Sequence, residues 1–176
     1  MQFAMIYRME GGNSRFKQII SALNDAGAEY VIVGGIATIL HGYVRTTLDV
    51  DMIVAFDARN LDRLSTALQQ VQYVPRMGVD PRGLADEATR ESWRQRNMVV
   101  FSFVSLHNPP VLVDVFVHHP IPFEELARDS IWKDYYGVKV RICSLEHLLH
   151  LKRLSGRPKD LDDIESLEVA NARKPS

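Results

Sequence analysis

The chain has 176 residues, with 21 Lys and Arg against 22 Asp and Glu, a formal net charge of -1. That balance excludes a polybasic nucleic-acid coat and an acidic solvating tail, while leaving room for a small basic patch. Hydrophobic residues at 46% and charged residues at 24% exclude a disordered chain, and the length suits one domain whose core needs no disulfide or structural zinc.

Residues 1–13 read as a loose N-terminal arm. Ser14 is placed to cap a helix in which Phe16, Ile19, Ile20 and Leu23 recur at helical spacing. Asn24-Asp25-Ala26-Gly27 ends it, and Tyr30-Val31-Ile32-Val33 is an apolar strand that stops at Gly34-Gly35. Ile36, Ile39 and Leu40 share one side of a short helix closed by Gly42. A second strand covers residues 49–54, and Leu61, Leu64, Leu68 and Val71 mark another amphipathic helix. Residues 75–97, with Pro75, Gly78, Pro81 and Gly83 before a charge-mixed stretch at 86–96, read as an exposed, partly helical flap. Residues 98–104 and 111–117 are apolar strands joined by His107-Asn108-Pro109-Pro110, which predicts a hairpin. Residues 138–142 form a last strand. Two helices, near 145–154 and 158–167 in a C-terminal segment 143–170, are split by Ser155-Gly156, with Pro158 opening the second. The order predicts one α/β (α+β) domain over 1–176, a mixed β-sheet flanked by helices.

Cys143 is the only cysteine, which excludes an intramolecular disulfide framework and suits a reducing cytosol. Phe3-Ala4-Met5-Ile6-Tyr7 is too short for a signal-peptide core. No apolar run approaches the ~20 residues of a membrane span. A soluble, cytoplasmic protein with no membrane partner is expected.

Acidic residues appear where strand cores should be apolar. Asp49 and Asp51 stand at i and i+2 of a strand, so both project from one face while Val50 points the other way. Asp114 interrupts the apolar run Val111-Leu112-Val113-Asp114-Val115-Phe116-Val117. An ionised carboxylate buried there costs several kcal/mol unless it is paired or metal-bound. Three carboxylates gathered together raise one another's pKa, and a hard divalent cation such as Mg²⁺ removes that repulsion through all-oxygen ligation. The plainer alternative is salt bridging, with Arg45 the obvious partner for one of them.

Gly34-Gly35 stands where a strand passes directly into a helix, a place that permits close approach of a ligand to the main chain and favours phosphate. A tight turn is the competing explanation. There is no G-x-G-x-x-G and no following Lys-Ser/Thr, so the Rossmann and Walker patterns are not met.

Together these features run Val33-Gly34-Gly35, 13 residues, Asp49-Val50-Asp51, and later a strand carrying Asp114. This resembles the nucleotidyltransferase superfamily. Residues 33–51, with Val-Gly-Gly-Ile-Ala, His-Gly and Arg-x-Thr-x-Asp-x-Asp, look most like its small prokaryotic branch of minimal nucleotidyltransferases and AbiEii-type toxins. A looser echo lies in Lys152, Arg157-Pro158-Lys159-Asp160 and Asp163. The resemblance implies that Gly34 and Gly35 hold a nucleotide triphosphate. It further implies that Asp49 and Asp51 bind two Mg²⁺ ions, and that Asp114 completes the metal site and helps activate the acceptor hydroxyl. The implied reaction transfers a nucleoside monophosphate from an NTP to a hydroxyl on RNA, protein or a small molecule, with pyrophosphate leaving. The implied partner is a toxin–antitoxin protein. The alternative is a nucleotide-binding or toxin–antitoxin protein that keeps the fold and does little catalysis.

Other polar residues carry two readings each. Lys152 lies on the apolar face of its helix, either snorkelling or contacting triphosphate. Arg45 is an ion-pair partner or a phosphate ligand. Asp160, Asp162 and Asp163 suit the first turns of a helix. His41 reads as a packing or capping residue. His118 lies about 13 Å along the strand from Asp114, too far to share an ion with it. Arg90, Arg94 and Arg96 belong to a solvated face or meet RNA.

Overall fold

A computed structural model describes residues 12–172. Helix α1 (Gly12–Asp25) leads to β1 (Tyr30–Ile32), α2 (Gly34–Leu40), β2 (Val50–Val54), α3 (Ala58–Gln70) and β3 (Tyr73–Pro75). A 3-10 turn (Pro81–Ala85) and α4 (Glu87–Gln95) precede the hairpin β4 (Val100–Ser105) and β5 (Leu112–Phe116). Helix α5 (Phe123–Arg128), the hairpin β6 (Ile131–Tyr135) and β7 (Val138–Ile142), then α6 (Leu145–Ser155) and α7 (Pro158–Ala172) complete the order. The strands form one mixed sheet in the order β3-β4-β5-β2-β1-β7-β6. β2 is parallel to β5 and β1 to β7, and the other neighbours are antiparallel.

The helical spacing in α1 does what it predicts: Phe16, Ile19, Ile20 and Leu23 are all buried. The helix starts at Gly12, so Ser14 lies inside it rather than capping it. The rest of the expected loose arm, residues 1–11, falls outside the described residues. α3 is capped by Asp57, whose carboxylate accepts from the Asn60 N–H at 2.9 Å, and Leu61, Leu64 and Leu68 are buried beneath it. Gly156, at φ 61°, ends α6 in the left-handed region, and Pro158 opens α7.

The expected flap is more structured than its composition suggests. It begins with an edge strand, β3, and is pinned to the core by Leu84 and Trp93, with the Trp93 ring 5.7 Å from that of Phe101. Three elements escape sequence reading. β3 has three residues and ends in Pro75, which an edge strand tolerates. α5 is only six residues long. β6 is an edge strand whose Ile131 and Trp132 are exposed, so no inward apolar alternation marks it.

The two halves of the sheet are covered differently. β1 is buried along its whole length and Met52, Ile53 and Val54 of β2 are buried. β4 and β5 alternate buried and partly buried residues, so one of their faces stays half-open. The acids lie where these halves meet.

Candidate active site

The register of β2 with β5 sets Asp51 directly beside Asp114. Neighbouring strands run about 4.8 Å apart, and residues opposite one another share a face, so the two carboxyl groups stand side by side. The β4–β5 register adds Ser102 opposite Asp114, and the Ser102 hydroxyl donates to Asp114 Oδ1 at 2.6 Å. Asp49 sits one residue before β2 begins. Asp51 and Asp114, read from the sequence as acids on two separate strands, thus lie on adjacent ones.

β1 continues its ladder past its end, with the Val33 N–H bonded to the Asp51 carbonyl at 3.0 Å. This lays Gly34, at φ +61°, against the Asp51 side chain, where any Cβ would overlap the carboxylate. A Cβ at Gly35 would likewise overlap Thr47. The glycine pair is therefore more than a turn: it makes space for an acid. The Gly35 N–H bonds to Asp51, so one donor of the expected phosphate cradle is already engaged.

Burial pushes the Asp51 carboxyl up to about 6, and the charges of Asp114 and Asp49 add to it; the Gly35 N–H and Arg157 only partly counter them. Burial also raises Asp114 despite the Ser102 hydrogen bond, with Asp49 raising it further and Arg76 opposing. The three carboxylates thus act on one another electrostatically. Among the described residues, no group of three His, Cys, Asp or Glu side chains is drawn together as a metal cage. The all-oxygen donors of the three residues, with the Asp51 and Asp114 carboxyls raised, fit a hard divalent cation. Asp49, Asp51 and Asp114 would hold it.

The basic residues predicted for phosphate are placed differently. Lys152 is buried on α6, with Nζ 2.5 Å from Asp163 Oδ2 and 3.4 Å from Asp160 Oδ1. It does not snorkel to solvent. Arg45 also pairs with Asp163, not with an acid of β2, and Arg157 Nε lies 2.6 Å from Asp160 Oδ2. Burial works against the Asp160 charge, but hydrogen bonds from Arg157 and Ser155 and the cations Arg157 and Lys152 hold its carboxyl below the usual range. Asp160 and Asp163 are buried charge partners between helices, a role larger than the helix-dipole one expected of them. His41 is buried with Nε2 2.9 Å from the Cys143 carbonyl, as a packing residue should be. Arg94 pairs with Glu91, Arg96 bonds to Ser92, and Arg90 donates to the Leu84 carbonyl.

Two residues near Asp114 escape sequence reading. Ser102 carries a signal, being a polar residue among Phe101, Phe103 and Val104. Arg76 carries none, because its place follows from β3.

Neither a family model nor a curated protein sequence matches the chain. Solved structures do. An antigenic nucleotidyltransferase-like protein from Paracoccidioides brasiliensis is 23% identical, covering 90% of this chain and 76% of that one, with TM-score 0.62. The lincosamide antibiotic adenylyltransferase LnuA, solved with lincomycin bound, is 16% identical over 88% of this chain and 95% of its own, with TM-score 0.57. ANT(2")-Ia in complex with adenylyl-2"-tobramycin is 13% identical over 89% and 87%, with TM-score 0.56. The fold is that of nucleotidyltransferases.

Proposed function

We propose that this protein is a Mg²⁺-dependent nucleotidyltransferase that moves a nucleoside monophosphate from an NTP to a hydroxyl of a small molecule. The observation that carries the reading is the side-by-side register of Asp51 and Asp114, with Gly34 set against Asp51. Mg²⁺ bound at Asp49, Asp51 and Asp114, as two ions, would neutralise the carboxylates and the triphosphate and polarise the reacting phosphoryl group. Gly34 and Gly35, by giving room to Asp51 and Thr47, would let the metal-holding carboxylate and the triphosphate lie close to the main chain. The acceptor oxygen attacks the α-phosphorus, the bond to the bridging oxygen breaks, and pyrophosphate departs. Ser102 occupies Asp114 Oδ1, which orients the carboxyl and leaves Oδ2 to take the acceptor's proton.

A small-molecule acceptor is favoured over RNA because Arg90, Arg94 and Arg96 already serve partners within their own flap. LnuA, solved with lincomycin bound, and ANT(2")-Ia, solved with adenylyl-2"-tobramycin, share the fold. Incubation with α-labelled NTP, Mg²⁺ and a small-molecule extract tests the reading. Labelled product from the wild type should fall on the order of 10²–10³-fold in Asp51→Ala; equal labelling by the two proteins would sink it.

A second reading, a nucleotide-binding or toxin–antitoxin partner with little catalysis, draws on one observation. Asp163 already neutralises Arg45 and Lys152, two expected phosphate ligands. Metal-dependent NTP binding in a calorimeter without any turnover would favour it.

A further inference from the structure

The β3–β4 register pairs Pro75 with Phe103, and the Arg76 N–H continues the ladder to the Ser102 carbonyl at 2.9 Å. Arg76, Ser102, Asp114 and Asp51 therefore form one row across four neighbouring strand positions, on one face. Gly34 closes the row at the Asp51 end. Apolar rows run on both sides: Val74, Val104 and Leu112 on one, Val100 and Phe116 on the other, all partly buried. Arg76 is exposed and forms no ion pair or side-chain hydrogen bond among the described residues, in contrast to Arg45, Lys152 and Arg157.

Strand spacing puts the Arg76 position about 10 Å from Asp114 and about 14 Å from Asp51, on the side away from the glycine pair. A triphosphate held at Gly34 lies at the other end of the row. On the transferase reading, the span from Asp114 to Arg76 falls to the acceptor. We propose that Arg76 is an acceptor-binding residue, and that the acceptor is a small organic molecule carrying a phosphate or carboxylate beside the hydroxyl presented to Asp114. The inference rests on the transferase reading for its direction along the row, but its binding test does not need turnover. A single arginine between apolar rows suits one compact anion; a nucleic acid would need a stripe of cations.

The probes are glycerol 3-phosphate and glycerate, with glycerol and glucosamine as neutral and cationic controls. Each is titrated into ¹⁵N-labelled protein holding Mg²⁺ and α,β-methylene-ATP, following the Ser102 and Asp114 amides. Glycerol 3-phosphate or glycerate should shift these amides, and the stronger of the two names the anion. Arg76→Ala should weaken that binding about 10- to 100-fold, Arg76→Lys should retain part of it, and affinity for the nucleotide analogue should not change. Four results overturn the proposal: anion binding equal in wild type and Arg76→Ala, preference for glucosamine, loss of nucleotide affinity in Arg76→Ala, or tighter binding of a short oligoribonucleotide than of either anion. If no transfer activity is found yet Arg76-dependent anion binding holds, the transferase reading falls alone. If Asp51-dependent transfer holds and the Arg76 variants bind normally, only the acceptor inference falls.

Discussion

The molecule groups aspartates in two places, fully buried in one and partly buried in the other, and treats them in opposite ways. At the helix junction, Asp160 and Asp163 are enclosed by Lys152, Arg45 and Arg157, and Asp160 is held below the usual carboxylate range. At the sheet, Asp51 and Asp114 stand beside each other with Asp49 near, and both are raised. One group is charge-matched from within the chain. The other has no ion-pair partner among the described residues, and on the proposed function a bound cation would supply the missing charge. The difference separates acids matched within the chain from acids that the proposed function puts to chemical use, more clearly than residue type does.

The most forceful way to break the comparison is to remove the cation at the junction. Lys152→Met should leave two buried carboxylates under-compensated and cost about 3–5 kcal/mol, read as a lower denaturant midpoint. A loss as small as that of an exposed ion pair would mean that Arg45 and Arg157 suffice. At the sheet, Gly34→Ala should destabilise by about 1–3 kcal/mol through its positive φ. It should also depress nucleotidyl transfer as deeply as loss of Asp51, because the new Cβ displaces that carboxylate.

Asp51→Asn should do the reverse to stability. The folded carboxyl titrates at about 6, against 3.8 for an unperturbed aspartate, so between those values the folded protein binds more protons than the unfolded chain. Stability therefore falls as pH rises through that window, and the penalty is complete above it. Removing the charge should stabilise the metal-free protein at pH 7.5 by about 1–3 kcal/mol. Mg²⁺ should raise the melting temperature of the wild type and not of the variant.

The smallest effect extends the contrast to a base. His119 is stacked 3.9 Å from Phe56, with Nε2 buried and without a hydrogen-bond partner among the described residues, and burial lowers its pKa from 6.5 to about 4. The folded state then binds fewer protons than the unfolded chain between those values, so stability is lost as pH falls through them. The drop in melting temperature from pH 7 to pH 4.5 should be smaller in His119→Asn than in the wild type.

How far these two regions can be read in advance follows from their physics. The glycine pair, Asp51 and Asp114 are legible because strands have a two-residue period and an acid inside an apolar run violates it. That Asp51 and Asp114 sit on adjacent strands is not, since the parallel pairing of β2 with β5 joins segments far apart in the chain. The helix junction is legible only as a set of charges. Arg45 and Asp163 are 118 positions apart, and nothing local in either says they meet. The short edge strands β3 and β6 carry no pattern, so Arg76 has no visible place in the sequence.

That long-range pair has a consequence for synthesis. Residues 43–49, the irregular stretch that carries Asp49 toward the sheet, are moored through Arg45 to α7. A chain emerging from the ribosome can lay down β1, α2 and β2 early. The mooring forms only after Asp163 has followed. Asp49, met well before α7 in the sequence, thus sits on a stretch whose mooring is completed late, and a nascent chain released before α7 should carry β2 with the loop ahead of it untethered.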